Sequence, residues 1–324
     1  MRTRIIAVAL PCLAAVCLAL TACTVGPRYK RPAVDVPTAY RGAGDTPNTT
    51  QAASLADQKW FDLFQDKQLQ QLIHTAIAQN YDVRIAAARI LEAQAQLGIT
   101  RSNQFPTANA GAEANTQRNA ASPLFPVATN GSAERMSLSA AWELDFWGKF
   151  RRATEAARAN LLAGEWARQQ VISTLVSNVA SSYFQLRELD LELEISQQTL
   201  ASRRDSLKLT QMLADHGATS MLDVRQAEQL VYTAAEQVPD LQRRIAQQEN
   251  LLSTLLGQNP GAIARGMKLT EQPHAPQVPA GLPSSLVDRR PDIRQAEQQL
   301  VALNAQIGVA KAAYFPQITL TADG

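Results

Sequence analysis

Apolar residues recur along this chain with two periods. From Asp66 onward, Leu69, Leu72, Ile73, Ala76 and Ile77 form one helical stripe. Asn80, Tyr81 and Asp82 interrupt it, and a second helix is expected over about 82–103, stopped by Pro106. The period then changes to two. In RMSLSAAWELDF, residues 135–146, Met136, Leu138, Ala140, Trp142, Leu144 and Phe146 face one way; Ser137, Ser139, Ala141, Glu143 and Asp145 face the other. The preceding PTANAGAEANTQR alternates more weakly, with Ala108, Ala110, Ala112 and Ala114 on one side. Strands are expected over about 107–118 and 135–146, joined by a loop of turn formers. A membrane β-barrel hairpin has this pattern; so does a soluble sheet with one wet face.

From Gly148 the helical period returns. Ile172, Val179, Leu186, Leu193, Leu200 and Leu207 fall at strict sevens, and Leu175 and Leu189 fall three positions later. After DHGATSM, residues 215–221, the sevens resume at Val224, Val231, Val238, Ile245 and Leu252. Two heptad runs joined by a short Gly-containing turn predict an antiparallel coiled-coil hairpin over about 149–257. Its first helix would be about 100 Å long at 1.5 Å per residue. Pro239 should kink the return helix, and Gly257 and Pro260 close it. Residues 261–290 are Pro-rich and read as a linker, and 23–59 as an extended tether.

The chain also repeats itself. Shifting residues 82–106 by 210 positions lays them on 292–316 without gaps. Eight of the 25 positions are then identical: Asp82/Asp292, Arg84/Arg294, Ala86/Ala296, Ala95/Ala305, Gln96/Gln306, Gly98/Gly308, Phe105/Phe315 and Pro106/Pro316. A repeat of this length marks two copies of one supersecondary unit. The first runs from about 60 to 260; the second starts at 291 and reaches its first strand, where Ile318, Leu320 and Ala322 alternate with Thr319, Thr321 and Asp323. The expected architecture is mainly α with a β part: one full helix–strand–strand–hairpin unit and the start of another.

Composition narrows the function. Arg2 and Arg4 precede an apolar run ending in LTAC, so residues 1–22 read as a signal peptide. Cys12 and Cys17 lie inside it, which leaves Cys23 alone in a mature chain with no internal disulfide. The net charge is +2 before the two signal arginines are removed. A mature charge near zero argues against a nucleic-acid partner. The three histidines, at 74, 216 and 274, sit in unrelated segments. Neither metal-ligand spacing nor a G-x-S-x-G or phosphate-loop motif occurs. The chain reads as no enzyme, with no catalytic residue, cofactor or metal.

LTAC resembles a bacterial lipobox. Five further stretches, CTVGPRYKRP (23–32), WFDLFQDKQLQQLI (60–73), WELDFWGKFRRATEAARA (142–159), GATSMLDVRQAE (217–228) and GLPSSLVDRRPDIRQAEQQLVALNAQIGVAKAAYFPQITL (281–320), resemble the outer membrane efflux proteins, the TolC-like family, in its NodT-like or OprM-like lipoprotein branch. The resemblance implies a lipid on Cys23, with Thr24 favouring the outer membrane. It further implies a homotrimer whose strands share a 12-stranded barrel and whose helices form a periplasmic α-barrel, with a periplasmic adaptor and an inner-membrane RND transporter as partners. Small molecules would leave passively through this duct. Met136, Leu138, Ala140, Trp142, Leu144 and Phe146 would then face lipid. Gly217, Ala218, Thr219, Ser220, Leu222, Asp223 and Val224 match the hairpin tip that meets the adaptor. A family member has two complete repeats, so the sequence is expected to be a truncated form. The alternative is a periplasmic adaptor-like lipoprotein, which should flank its hairpin with β-rich halves.

Overall fold

The computed structural model describes residues 24–33, 60–119, 129–274 and 289–324. In order the elements are α1 (Trp60–Leu63), α2 (Lys67–Gln79), α3 (Tyr81–Ser102), β1 (Thr107–Asn119), β2 (Thr129–Glu143), α4 (Lys149–Asp215), α5 (Met221–Leu256), a 3-10 turn (Leu269–Glu271), α6 (Pro291–Ala312) and β3 (Thr319–Asp323). They divide between two compact units. One holds 1–34, 89–165 and 294–324; the other holds 35–88 and 166–293. The signal-peptide region and Cys23 lie outside the described residues.

In the second unit, α2 packs on α4 and α5. Leu69, Ile73 and Ala76 are fully buried, against Val179, Leu186 and Leu252. These are the helical stripe and two of the heptad series. The remaining sevens stay among the less exposed positions of their helices, from Leu193 to Leu207 and from Val231 to Ile245. Two helices bury only one seam each, so other faces of the hairpin are open. Pro239 lies inside α5. Gly257 caps α5 in the left-handed region, at φ 71°. Its backbone also approaches α2 so closely that a Cβ would stand 2.6 Å from the Gln79 carbonyl.

One carboxylate organises this core. Asp66 caps α2, accepting from the backbone N–H of Gln68 and Leu69 at 2.8 and 3.3 Å. Its other oxygen accepts from the Tyr183 hydroxyl, the Met267 N–H and the Gln272 amide, at 2.9, 3.0 and 2.9 Å. The Tyr183 oxygen in turn accepts from the Gly266 N–H at 2.9 Å. Burial works against the Asp66 charge, yet the bonds from Gln272, Tyr183 and the α2 backbone outweigh it and hold the carboxyl below its ordinary value. Burial first, and the neighbouring carboxylate, push Tyr183 up to about 12 against the lowering effect of the Gly266 N–H.

This node corrects the linker reading for 261–274. Arg265 pairs with Asp190 at 3.1 Å and with Glu249, and Ile263 is buried in the core. Residues 275–288 lie outside the described set. In this stretch the backbone N–H groups of Ile263, Gly266 and Met267 donate to the Glu249, Tyr183 and Asp66 side chains rather than to a ladder.

The first unit is built on small residues. Ala156 and Ala159 of α4 meet Ala302 and Ala305 of α6. Residues 24–33 are no free tether either. Val25 N–H donates to the Trp147 carbonyl at 3.1 Å, Asn304 donates to the Pro27 carbonyl at 3.0 Å, and Arg31 pairs with Glu297 at 3.1 Å. Gly26 (φ 112°) and Gly308 make this possible: a Cβ on Gly26 would lie 2.5 Å from the Gly308 Cα. Arg152, 4% exposed, reaches over the same spot to the Gly26 carbonyl at 3.4 Å.

Candidate functional site: an apolar sheet face and a hairpin tip

β1, β2 and β3 form one antiparallel sheet in that order. Thus the first strand of the second repeat pairs with the last strand of the first. The register sets Ala108, Ala110 and Ala112 opposite Ala140, Leu138 and Met136, and Ala322 and Leu320 opposite Ala140 and Trp142. Directly paired residues share a face, so an apolar face crosses all three strands. The other face carries Thr107, Asn109, Glu113, Ser137, Ser139, Arg135 and Asp323. Met136 and Leu138 are 87% and 63% exposed, so among the described residues nothing covers that apolar face at these positions.

The strand stops earlier than its alternation suggests. β2 ends at Glu143, so Leu144 and Phe146, expected on the lipid-facing strand, lie in the turn beyond it. Leu144 N–H still donates to the Ile318 carbonyl at 2.9 Å, and Asp145 turns to the helix that follows. Its carboxylate accepts from the backbone N–H of Phe150 and Arg151 at 3.2 and 2.9 Å, in the first turn of α4. Gly148 supplies the positive φ, 79°, that turns strand into helix. Met136, Leu138, Ala140 and Trp142 remain on β2. Where the strands leave, Trp142 donates its indole N–H to the Gln104 carbonyl at 3.1 Å and Trp147 donates to the Pro316 carbonyl at 2.9 Å. Trp147 also stacks on Phe315 at 4.6 Å. Both tryptophans therefore anchor the Phe-Pro junctions of the two repeats.

The tip of the α4–α5 hairpin holds the second candidate set. Gly217 has φ 72° with open space around it, and its N–H donates to the Ala214 carbonyl at 2.9 Å. The Ala218 N–H donates to Leu213 at 2.8 Å. Ser220 and Asp223 make a reciprocal capping box. Asp223 also accepts from the Thr219 hydroxyl at 2.6 Å. The hydroxyls of Thr219 and Ser220, then the Ser220 N–H, lower its carboxyl to about 2. Val224 is buried while Leu222 is 66% exposed. The tip is thus a rigid polar knot beside an open apolar residue. The Asp66 node was not among the expected sites; in the sequence Asp66 stood only as the start of the helical stripe.

Among the described residues no helix is long and apolar enough to cross a membrane, and no cluster of His, Cys, Asp and Glu could hold a metal. A sheet with one apolar and one polar face, extended across a repeat and followed in sequence by a coiled-coil hairpin, is of the class in which the strands of a membrane β-barrel alternate. The description "Outer membrane efflux protein" matches residues 72–258 and 282–324, and the chain belongs to that family. It is 35% identical over 316 residues to the probable efflux pump outer membrane protein TtgC of Pseudomonas putida, covering 96% of this chain and 65% of that protein. The solved structure of CusC matches with a TM-score of 0.79 at 32% identity, over 93% of this chain and 66% of that one. The open state of the MtrE outer membrane channel of Neisseria gonorrhoeae matches with a TM-score of 0.77 at 30% identity, over 93% and 66%. The chain spans about two thirds or less of each of these relatives.

Proposed function

We propose that this chain belongs to the exit duct of a tripartite efflux system in the outer membrane, passing small molecules from periplasm to exterior without chemistry of its own. The observation that carries this is the exposed apolar face shared by β1, β2 and β3. In water such a face is a liability, and in lipid it is the required outer surface of a barrel. The strand order supports a sheet that grows repeat by repeat, as closure from several copies demands.

Under this reading the protein is a homotrimer, with Cys23 lipidated. The tip residues from Gly217 to Val224 meet a periplasmic adaptor, and an RND transporter in the inner membrane supplies the energy. The relatives described above are efflux outer membrane proteins and channels; none is an adaptor or an enzyme. The test is expression of the full-length protein, with both repeats complete, in a strain lacking its own duct, with ethidium accumulation as readout. Lower accumulation, lost with a Leu138→Arg change, is expected; accumulation unchanged by the intact protein overturns the reading.

A further inference from the structure

Where β2 leaves the sheet, one residue ties the apolar face to a small cavity. Trp142, on that face, donates its indole N–H to the Gln104 carbonyl at 3.1 Å. The side-chain amide of the same Gln104 donates to the Thr154 hydroxyl at 2.5 Å and to the Phe150 carbonyl at 3.3 Å, in the first turns of α4. Gln104, Arg151, Thr154, Glu155 and Arg158 line a cavity of about 260 Å³. The cavity therefore lies at the foot of the apolar face. It is smaller than the roughly 300–1,000 Å³ of a pocket that encloses a drug-sized ligand. The charges around it do not balance. Glu155 pairs with the buried Arg152 at 2.8 Å, and Arg151 with Asp145 at 3.3 Å. Arg158 is exposed and has no ion-pair partner among the described residues. The same holds for Arg101 in the last turn of α3, whose carbonyl accepts from the Gln104 N–H at 3.1 Å.

We propose that this cavity is a binding site for the phosphate of an anionic membrane phospholipid. Arg158 holds the phosphate, Arg101 adds to the field one turn before Gln104, and the acyl chains run up the apolar face past Trp142 and Leu138. The unbalanced positive charge calls for an anion, and a guanidinium can meet two phosphate oxygens at once. The small volume admits a phosphate group. Gln104 and Thr154 are already bonded to each other, and the Thr154 hydroxyl donates to the Phe150 carbonyl at 2.8 Å, so they shape the cavity while Arg158 supplies the free donors. Continuity with Trp142, Ala140, Leu138 and Met136 calls for an anion that carries hydrocarbon rather than a free one. A tryptophan with its ring on an apolar face and its N–H bonded marks the level where hydrocarbon meets headgroups. Phe105, next to Gln104 and 56% exposed, adds a second ring there. Each cation near an anionic lipid surface is worth about fivefold in affinity. This deepens the outer-membrane reading above and rests on it, because the cavity reaches headgroups only if the apolar face lies in lipid.

The test is native mass spectrometry of the full-length protein in mild detergent, offered equal amounts of phosphatidylglycerol and phosphatidylcholine. Both carry the phosphate, and only the first is a net anion. Phosphatidylglycerol adducts are expected at least fivefold above phosphatidylcholine. Arg158→Gln with Arg101→Gln should bring the two lipids to parity, while Arg158→Lys with Arg101→Lys keeps the preference. Arg203→Gln with Arg243→Gln removes the same charge from exposed positions of α4 and α5 and should change nothing. Four results overturn the site: no preference in the parent, a preference kept by the Arg158→Gln, Arg101→Gln variant, an equal loss in the Arg203→Gln, Arg243→Gln variant, or displacement of the lipid by millimolar inorganic phosphate, which marks a site for a free anion. A full-length protein that stays in the soluble fraction refutes the outer-membrane reading itself. A membrane-bound protein without the preference refutes only this site.

Discussion

The Tyr183 hydroxyl donates to Asp66 Oδ2 at 2.9 Å, joining two residues 117 positions apart in the chain. Through this bond α4, the cap of α2 and the segment at 266–272 share one buried acceptor. Asp66→Ala removes a helix cap worth about 1 kcal/mol and strands buried donors at about 1–3 kcal/mol each. A loss on the order of 3 kcal/mol is expected in chemical unfolding followed by circular dichroism.

The same pair sets two opposite pH limits. The folded Asp66 carboxyl lies below its ordinary 3.8, so its contribution is complete above that value and is lost as pH falls toward the folded value. Tyr183 is raised from 10.0 to about 12. Its contribution is complete below 10 and disappears as pH rises through about 12. Asp66→Asn should flatten the acid limb of a melting-temperature profile and Tyr183→Phe the alkaline limb. An unchanged profile in either variant contradicts the assignment of that limb.

Gly308→Val should free the N-terminal segment. The Val25 carbonyl oxygen packs closely against Gly308, since an added Cβ would stand 2.9 Å from that oxygen. Arg28 and Lys30 lie in the segment so displaced. Trypsin should then cut there at least tenfold faster than in the parent, as measured by mass spectrometry of early fragments, while α6 remains helical. Gly98→Val, at the repeat position where an added Cβ would meet nothing within 4 Å, serves as the control and should leave this cleavage rate unchanged.

The long elements were legible in the sequence because they rest on periodic burial. The sevens from Ile172 to Leu207 and from Val224 to Leu252 belong to α4 and α5, and the period-two stretch to the sheet. What escaped was aperiodic. Asp66 and Tyr183 meet through a single long-range bond that no local pattern encodes. The strap at 24–33 is held by two glycines chosen for what they lack, and the stretch at 261–274 looks like a linker because its backbone is satisfied by side chains. Asp145 was read as a polar strand position; its bonds go to the first turn of α4, and β2 ends before Leu144 and Phe146. The repeat was visible, but the unequal surroundings of Gly98 and Gly308 needed coordinates.

Asp223 gives a test at the hairpin tip. Three donors converge on one of its oxygens: the Thr219 hydroxyl, the Ser220 hydroxyl and the Ser220 N–H, at 2.6, 2.7 and 3.0 Å. A carboxylate so held should titrate near 2, read from its side-chain carbon by NMR. Ser220→Ala with Thr219→Val should return it to the ordinary range and speed amide exchange in the first turn of α5. If the midpoint stays near 2 in that double variant, the hydroxyls are not the cause.

Adjacent positions on β2 separate the two faces of the sheet. Leu138 lies on the apolar face, opposite Ala110, and Ser137 on the polar face, opposite Gly111. The side chains are one residue apart, so they sit at nearly the same height and differ only in direction. If the apolar face meets lipid, Leu138→Arg places a charge in hydrocarbon at about 2–4 kcal/mol near the bilayer midplane. Ser137→Arg turns the same charge toward the polar side, where Arg135 and Glu113 already stand as cross-strand partners. Gly111 opposite offers room for the longer side chain. The expected result is at least tenfold less Leu138→Arg protein in the outer membrane fraction, with Ser137→Arg close to the parent. Equal losses show that the sheet is merely intolerant of bulk. The reverse order shows that the polar face, with its serines and asparagines, is the one against lipid.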